Sequence, residues 1–160
     1  MPQLKIRRYK KSDNKTVWNL HITGLKQNNA YILKGKWHED LNNIEKVYLK
    51  NGEFLVGEIS GKIVAMGAFK KVSEKKAEIK RIRVYPNYQK KGFGQTILDE
   101  LEKRAAKMGY KILQLDTTDK QIPAQKFFEK NGYIKTKSKI FPEHGFEMIF
   151  YEKRIKRLKC

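Results

Sequence analysis

The spacing of apolar residues changes along the chain, and each change marks an element. Leu4 and Ile6 alternate with cations, as a short first strand would, and Ser12 or Asp13 then offers an N-cap to a helix carrying Val17, Trp18, Leu20 and Leu25. After a polar connection, Trp37, Leu41, Ile44 and Tyr48 recur at steps of four, three and four, which is one face of a second helix. The runs EFLVGEI, KIVAMGAFKKV and AEIKRIRVY are β-rich and separated only by SG and SEKK, so they predict an antiparallel meander of three strands. Ile97, Leu98, Leu101, Ala105 and Met108 then form a helical stripe ending at Gly109. KILQLDTT reads as a buried strand, and QIPAQKFFEKNG as a short helix with Pro123 in its first turn and Gly132 beyond its end. YIKTKSKI and FEMIFYEKR close the chain as strands. The order β, α, α, β, β, β, α, β, α, β, β predicts a mixed α/β domain with a strand-loop-helix-strand unit at its centre.

Within Ala77 to Tyr85 the alternation slips: Ile79 is odd, whereas Ile82 and Val84 are even. A β-bulge near Lys80 to Ile82 would return both sets to the core and bend the strand away from its neighbour. Burial of the strand on both faces is the other reading. The strand leads into VYPNYQKKGFGQT, a loop with two glycines and no acid, and then into a helix. Glycines let main-chain N–H groups converge, and the helix start adds unpaired N–H groups and the positive end of its dipole, which together suit a pyrophosphate. No Gly-Lys-Ser/Thr follows at Walker spacing and the third glycine of a dinucleotide fingerprint is missing.

Composition narrows the setting. The 160 residues suit one domain, expected over 1–152 with a basic tail at 153–160. At 39% hydrophobic, with no apolar run of membrane length and no apolar segment in a cationic N-terminus, the chain is expected to be soluble and cytoplasmic. The single cysteine, Cys160, provides neither a disulfide framework nor a zinc cluster, and His21, His38 and His144 lack metal-ligand spacing. The 36 Lys and Arg against 17 Asp and Glu give a net charge of +19, which favours anionic ligands and disfavours polycationic substrates. The excess is dispersed along the chain, more like a solvated surface than a nucleic-acid footprint.

The segment Ala77–Tyr133 resembles the core of the GNAT N-acetyltransferase superfamily. Gln89, Gly92 and Gly94 match the family's Arg/Gln-x-x-Gly-x-Gly/Ala loop between strand and helix. Gln121, Ala124, Phe128 and Gly132 match a second pattern of a polar residue, alanine, an aromatic and glycine. The resemblance implies a GNAT fold, a mostly antiparallel sheet of about seven strands flanked by four helices and splayed between strands 4 and 5. It also implies acetyl-CoA as acyl donor, no metal, and direct transfer to a primary amine of a small molecule or peptide by a monomer or homodimer.

By the same resemblance, main-chain groups of Ile82, Arg83 and Val84 hold the pantetheine arm, and the amides of Gln89, Lys90, Lys91, Gly92, Phe93, Gly94 and Gln95 hold the pyrophosphate. An N–H near Val84 faces the thioester oxygen, Gln121 and Phe128 contact the cofactor, and Glu78 is the candidate base. Two positions depart from the family: Phe128 stands where many members have a tyrosine thought to protonate the leaving thiolate, which leaves Tyr133 or water for that step, and Gln121 replaces a common asparagine. His21, His38, Tyr31 and Trp37 border the region that shapes the acceptor pocket in the family. The reading from another class is a non-catalytic CoA-binding module, or a basic one associated with nucleic acid through the tail.

Overall fold

The computed structural model of the chain describes residues 3–27 and 36–156. Tyr31, the side chain of Trp37 and tail residues 157–160 lie outside that description. Seven strands, β1 (Lys5–Arg8), β2 (Glu53–Ile59), β3 (Lys62–Lys71), β4 (Lys76–Val84), β5 (Ile112–Thr118), β6 (Ile134–Phe141) and β7 (Phe146–Arg154), form one sheet in the order β1-β2-β3-β4-β5-β7-β6. The β4–β5 pair is parallel and the others are antiparallel. Four α-helices join them: α1 (Asn14–Gln27), α2 (Ile44–Val47), α3 (Phe93–Lys107) and α4 (Ile122–Lys130).

The sheet is covered on both sides, which is why β3 is apolar without alternation: residues 63 to 69 are all buried. On one face Leu55, Val64 and Ala65 pack with Ile97, Leu98 and Leu101 of α3. On the other, Phe54, Val56 and Met66 pack with Val17 and Leu20 of α1 and with Leu41, Ile44 and Tyr48. The edge strand β6 presents Lys135, Lys137 and Lys139 to solvent, and repelling charge on a free edge discourages pairing with another chain.

Three expectations change. The second helix has the predicted buried face but is not continuous: a 3-10 segment, Lys36–Asn42, breaks at Asn43 (φ −150°, ψ 59°) before α2 begins. Asn42 and Asn43 stand at the break, and asparagine is a weak helix former. Asp13 precedes α1 but does not cap it, since its carboxylate accepts from the Lys10 N–H at 2.9 Å and from the Arg7 guanidinium at 2.8 and 2.9 Å. Met108 leaves the α3 stripe and is exposed, because it is already the C-cap before the left-handed Gly109 (φ 95°).

The bulge in β4 occurs where the parity slip predicts it. Met66 faces Arg83 and Ala68 faces Lys80, so both Arg81 and Ile82 stand against Gly67. A Cβ on Gly67 would lie 2.5 Å from Ile97 Cγ2 and 2.9 Å from Leu101 Cδ1, so glycine is required for α3 to close over the bulge.

Candidate active site

Pairing between β4 and β5 spans only Lys76–Glu78 against Ile112–Gln114. Beyond it the strands part around a cavity of about 260 Å³, lined from β4 by Glu78 to Arg83, from β5 by Leu115 to Thr117, and from the helical layers by Leu25, His38, Gln121, Ala124 and Phe128. Phe146 and Met148 of β7 complete it.

The bend that opens this cleft is held by charge. Arg81 adopts φ +62°, a left-handed conformation that costs a non-glycine residue about 1–2 kcal/mol. Its guanidinium is fixed on Asp40 by bonds of 3.0 and 2.6 Å, and the buried Tyr48 hydroxyl donates to the same carboxylate. Burial would push the Asp40 carboxyl up, but the hydrogen bonds and charge of Arg81, with the Tyr48 O–H, hold its pKa down to about 2. Burial and then the Asp40 carboxylate push the Tyr48 phenol up, so it remains a donor.

At the outer end of β4, the Tyr85 N–H donates to Val64 O of β3 at 2.9 Å. Main-chain groups alternate sides along a strand, so the N–H and C=O of Val84 point away from β3 toward the open side. The Val84 carbonyl accepts from Gln89 Nε2 at 2.8 Å. By the same alternation the main chain of Arg83 faces Met66 on β3, and Arg83 meets the cleft through its side chain instead.

The loop then turns twice through the left-handed region, at Lys90 (φ 63°) and Gly92 (φ 86°). Nothing lies within 4 Å of a Cβ built on Gly92, so its requirement for glycine comes from the backbone alone. Among the described residues, the N–H groups of Lys90 to Gln95 have no hydrogen-bond partner, and Thr96 is the first to bond back, to Gly92 O at 3.0 Å. Six consecutive free donors thus sit at the start of a 15-residue helix. The Gln89 amide exchanges bonds of 2.8 and 2.9 Å with Gln27 of α1, and Gln95 is anchored to Asn131 at 2.7 Å, so the turn is tied at both sides.

Glu78 lines the inner end of the cleft, with its carboxylate 3.8 Å from the Lys70 ammonium. Asp116 stands on the opposite wall, open to the cleft. The surrounding protein and then the Glu78 charge raise its carboxyl, against the pull of Lys80. Lys80 is lowered by burial and by Arg81. Gln121 is the N-cap residue of α4, and its side-chain oxygen accepts from Thr117 Oγ1 at 2.6 Å. Phe128 is buried against Phe127 and Tyr133, with one side on the cleft. Tyr133 is not at the cleft: its hydroxyl donates to Glu102 at 2.7 Å, and burial followed by that carboxylate pushes the phenol up. His21 and His38 meet at 2.7 Å, and His38 lines the cleft. Burial, then Arg81 and Arg83, lower the His21 pKa to about 2.

Asp40, Lys80 and Asp116 have no signature in the sequence. Asp40 and Arg81 are 41 positions apart, and only a cationic residue at a bulge could have hinted at a distant carboxylate partner. Among the described residues no group of three His, Cys, Asp or Glu could hold a metal ion, and no helix is long and apolar enough to cross a membrane.

Solved structures with this architecture are numerous. An acetyltransferase of the GNAT family from Staphylococcus aureus Mu50 superposes with a TM-score of 0.86 at 22% identity, covering 96% of this chain and 100% of that one. An acetyltransferase from Streptococcus agalactiae 2603 gives 0.83 at 20% identity, over 95% and 98% of the two chains. The Salmonella typhimurium protein yncA, solved with its cofactor acetyl-CoA, gives 0.76 at 15% identity, over 99% and 97%. No curated protein matches the sequence significantly. The family model for the Acetyltransferase (GNAT) family matches residues 24–133, a span that holds the bulge, the glycine loop, α4 and all of the cleft lining except Phe146 and Met148. By that match the chain belongs to the GNAT acetyltransferase family.

Proposed function

We propose that this protein transfers the acetyl group of acetyl-CoA directly to a primary amine, in the cytoplasm. The observation that carries the reading is the row of free N–H groups from Lys90 to Gln95 beside a cleft that β4 and β5 leave open. Converging donors and a helix dipole are suited to the diphosphate of CoA, with Lys90 and Lys91 adding charge. The residues fit the cofactor. Gly92 turns the loop without a side chain in the way, and Val84 directs its main chain to the gap, where an amide-bearing pantetheine arm replaces the missing β5 partner. The bound cofactor supplies the activated acetyl group.

The chain's own residues prepare the acceptor. An alkylamine of ordinary basicity is about 3.4 pH units above neutrality, so freeing it of its proton costs roughly 4.6 kcal/mol at pH 7. Glu78, in the cleft beside Asp116, takes that proton directly or through water. As the amine attacks, negative charge grows on the carbonyl oxygen, and the Val84 N–H is a fixed donor for it, worth about 3 kcal/mol. Phe128 cannot protonate the leaving sulfur and Tyr133 is bound to Glu102, so water does so, a modest demand for a thiolate of pKa near 8.5.

Calorimetric titration of the full chain with acetyl-CoA tests the reading, together with a thiol-release screen against amino acids, aminoglycosides, polyamines and peptides. Saturable binding and release with at least one amine are expected. Binding of nucleic acid without any heat from acetyl-CoA would support the basic binding module instead.

A further inference from the structure

Arg83 is a half-buried cation with no counter-ion among the described residues. Its stem lies across α1, where a Cβ on Gly24 would come within 2.6 Å of Arg83 Cδ, and its Nε is sealed from solvent with no hydrogen-bond partner. No hydrogen bond or ion pair is formed by its guanidinium among the described residues, and the undescribed residues at positions 1–2, 28–35 and 157–160 contain no Asp or Glu that could supply one. Every side-chain carboxylate of the protein is therefore accounted for, and none pairs with Arg83. Asp40, the acid of this region, is committed to Arg81. Glu78 and Asp116 line the same cleft without reaching it. Desolvation, and then the neighbouring Arg81, depress its pKa to about 10, as expected for a guanidinium partly withdrawn from water beside another cation.

A partly desolvated charge with a sealed, unpartnered Nε is costly, and such an arrangement suits a binding site where a ligand brings the opposite charge. We infer that the acceptor amine carries an anionic oxygen group, carboxylate or phosphate, and that Arg83 receives it from within the cleft. This rests on the acetyltransferase reading above. The cleft then has two chemically distinct ends along one strand: the carboxyls of Glu78 and Asp116 for the amine, and the Arg83 guanidinium for the anion, five residues from Glu78 across the bulge. A zwitterionic acceptor satisfies both, and a polyamine satisfies only one.

The test uses matched amines with the full chain: 4-aminobutyrate against butylamine, L-amino acids against their amides, and phosphoethanolamine against ethanolamine. The anionic member of at least one pair is expected to show kcat/KM about ten-fold higher or more, as a charge-assisted bond would give. Carboxylate and phosphate are told apart by which pairs show it. Arg83→Met should abolish that preference through the KM of the amine while leaving the KM of acetyl-CoA nearly constant, and Arg83→Lys should restore part of it. Equal use of both members by the wild type overturns the inference, as does a rise in the KM of acetyl-CoA in place of that of the amine. A second readout does not depend on turnover: the anionic amines should raise the Tm of the wild type and not of Arg83→Met, and failure to do so counts against the anion site. Absence of calorimetric acetyl-CoA binding would instead remove the transferase reading and leave the thermal result to judge Arg83 by itself.

Discussion

Asp40→Asn is the most informative perturbation of the fold, because it removes the charge that holds Arg81 in a left-handed conformation. Both side chains are nearly buried, with 11% of Arg81 and 13% of Asp40 accessible, so solvent screens the pair little. Removing one partner of such a pair strands the other, at about 3–5 kcal/mol. An independent figure comes from proton linkage: a carboxyl lowered from 3.8 to about 2 contributes roughly 2 kcal/mol near neutrality, which counts only the charged form against the protonated one. That contribution is complete above the unfolded pKa and is lost as pH falls through the folded one, between about pH 4 and 2. For a chain of this length each kcal/mol moves Tm by about 2–4 °C, so Asp40→Asn should melt roughly 6–20 °C lower at pH 7. Urea unfolding followed by tryptophan fluorescence at pH 7, 4 and 2.5 measures the difference directly. The gap between wild type and variant should narrow at the lowest pH. A loss under about 1 kcal/mol at neutrality, or a gap that is unchanged by acid, would refute the assignment of Arg81–Asp40 as the clamp of the bulge.

Other expectations follow from single residues. Gly67→Ala forces a methyl into Ile97, Leu101 and Ile82, and equilibrium unfolding should show a loss of about 1–3 kcal/mol with weakened acetyl-CoA binding, since the bulge must shift. Gly92→Arg should cost about 1–2 kcal/mol from its positive φ alone and should abolish calorimetric binding of acetyl-CoA, whereas deletion of residues 157–160 should leave that binding intact. His21 is neutral in the fold and protonates on unfolding, so stability should fall below about pH 6.5 by up to about 1.4 kcal/mol per pH unit, and His21→Leu should flatten this limb between pH 6.5 and 4.5 in urea titrations. Glu78→Gln should remove the acidic limb of the pH–rate profile with whichever amine reacts, and an unchanged profile takes Glu78 out of the mechanism.

The parts of this protein legible in its sequence are those encoded by local period or local turn chemistry. The parity slip between Ile79 and Ile82 located the bulge, and Gly109 and Gly132 marked helix ends that are left-handed in the structure. The glycine loop, with Gln89 before it, also read correctly as a turn between strand and helix. What sequence reasoning missed is carried by contacts across the fold. Nothing near Asp40 announces that it will clamp Arg81, and the pairing of His21 with His38 depends on how the broken second helix packs beside α1. The parallel register of β5 with β4 follows from the α3 crossover, but its early end at Glu78 follows from the bulge and its clamp, so the size of the cleft could not be read from spacing.

Among the described residues only three ladder pairs, Lys76–Glu78 against Ile112–Gln114, continue the sheet from its four-stranded part to its three-stranded part. A guest lodged in that gap would therefore serve as mortar between two half-built walls as well as a reagent. Saturating the protein with a non-transferable CoA thioether should slow amide hydrogen exchange in β5 and β7 as much as in the loop that grips the guest.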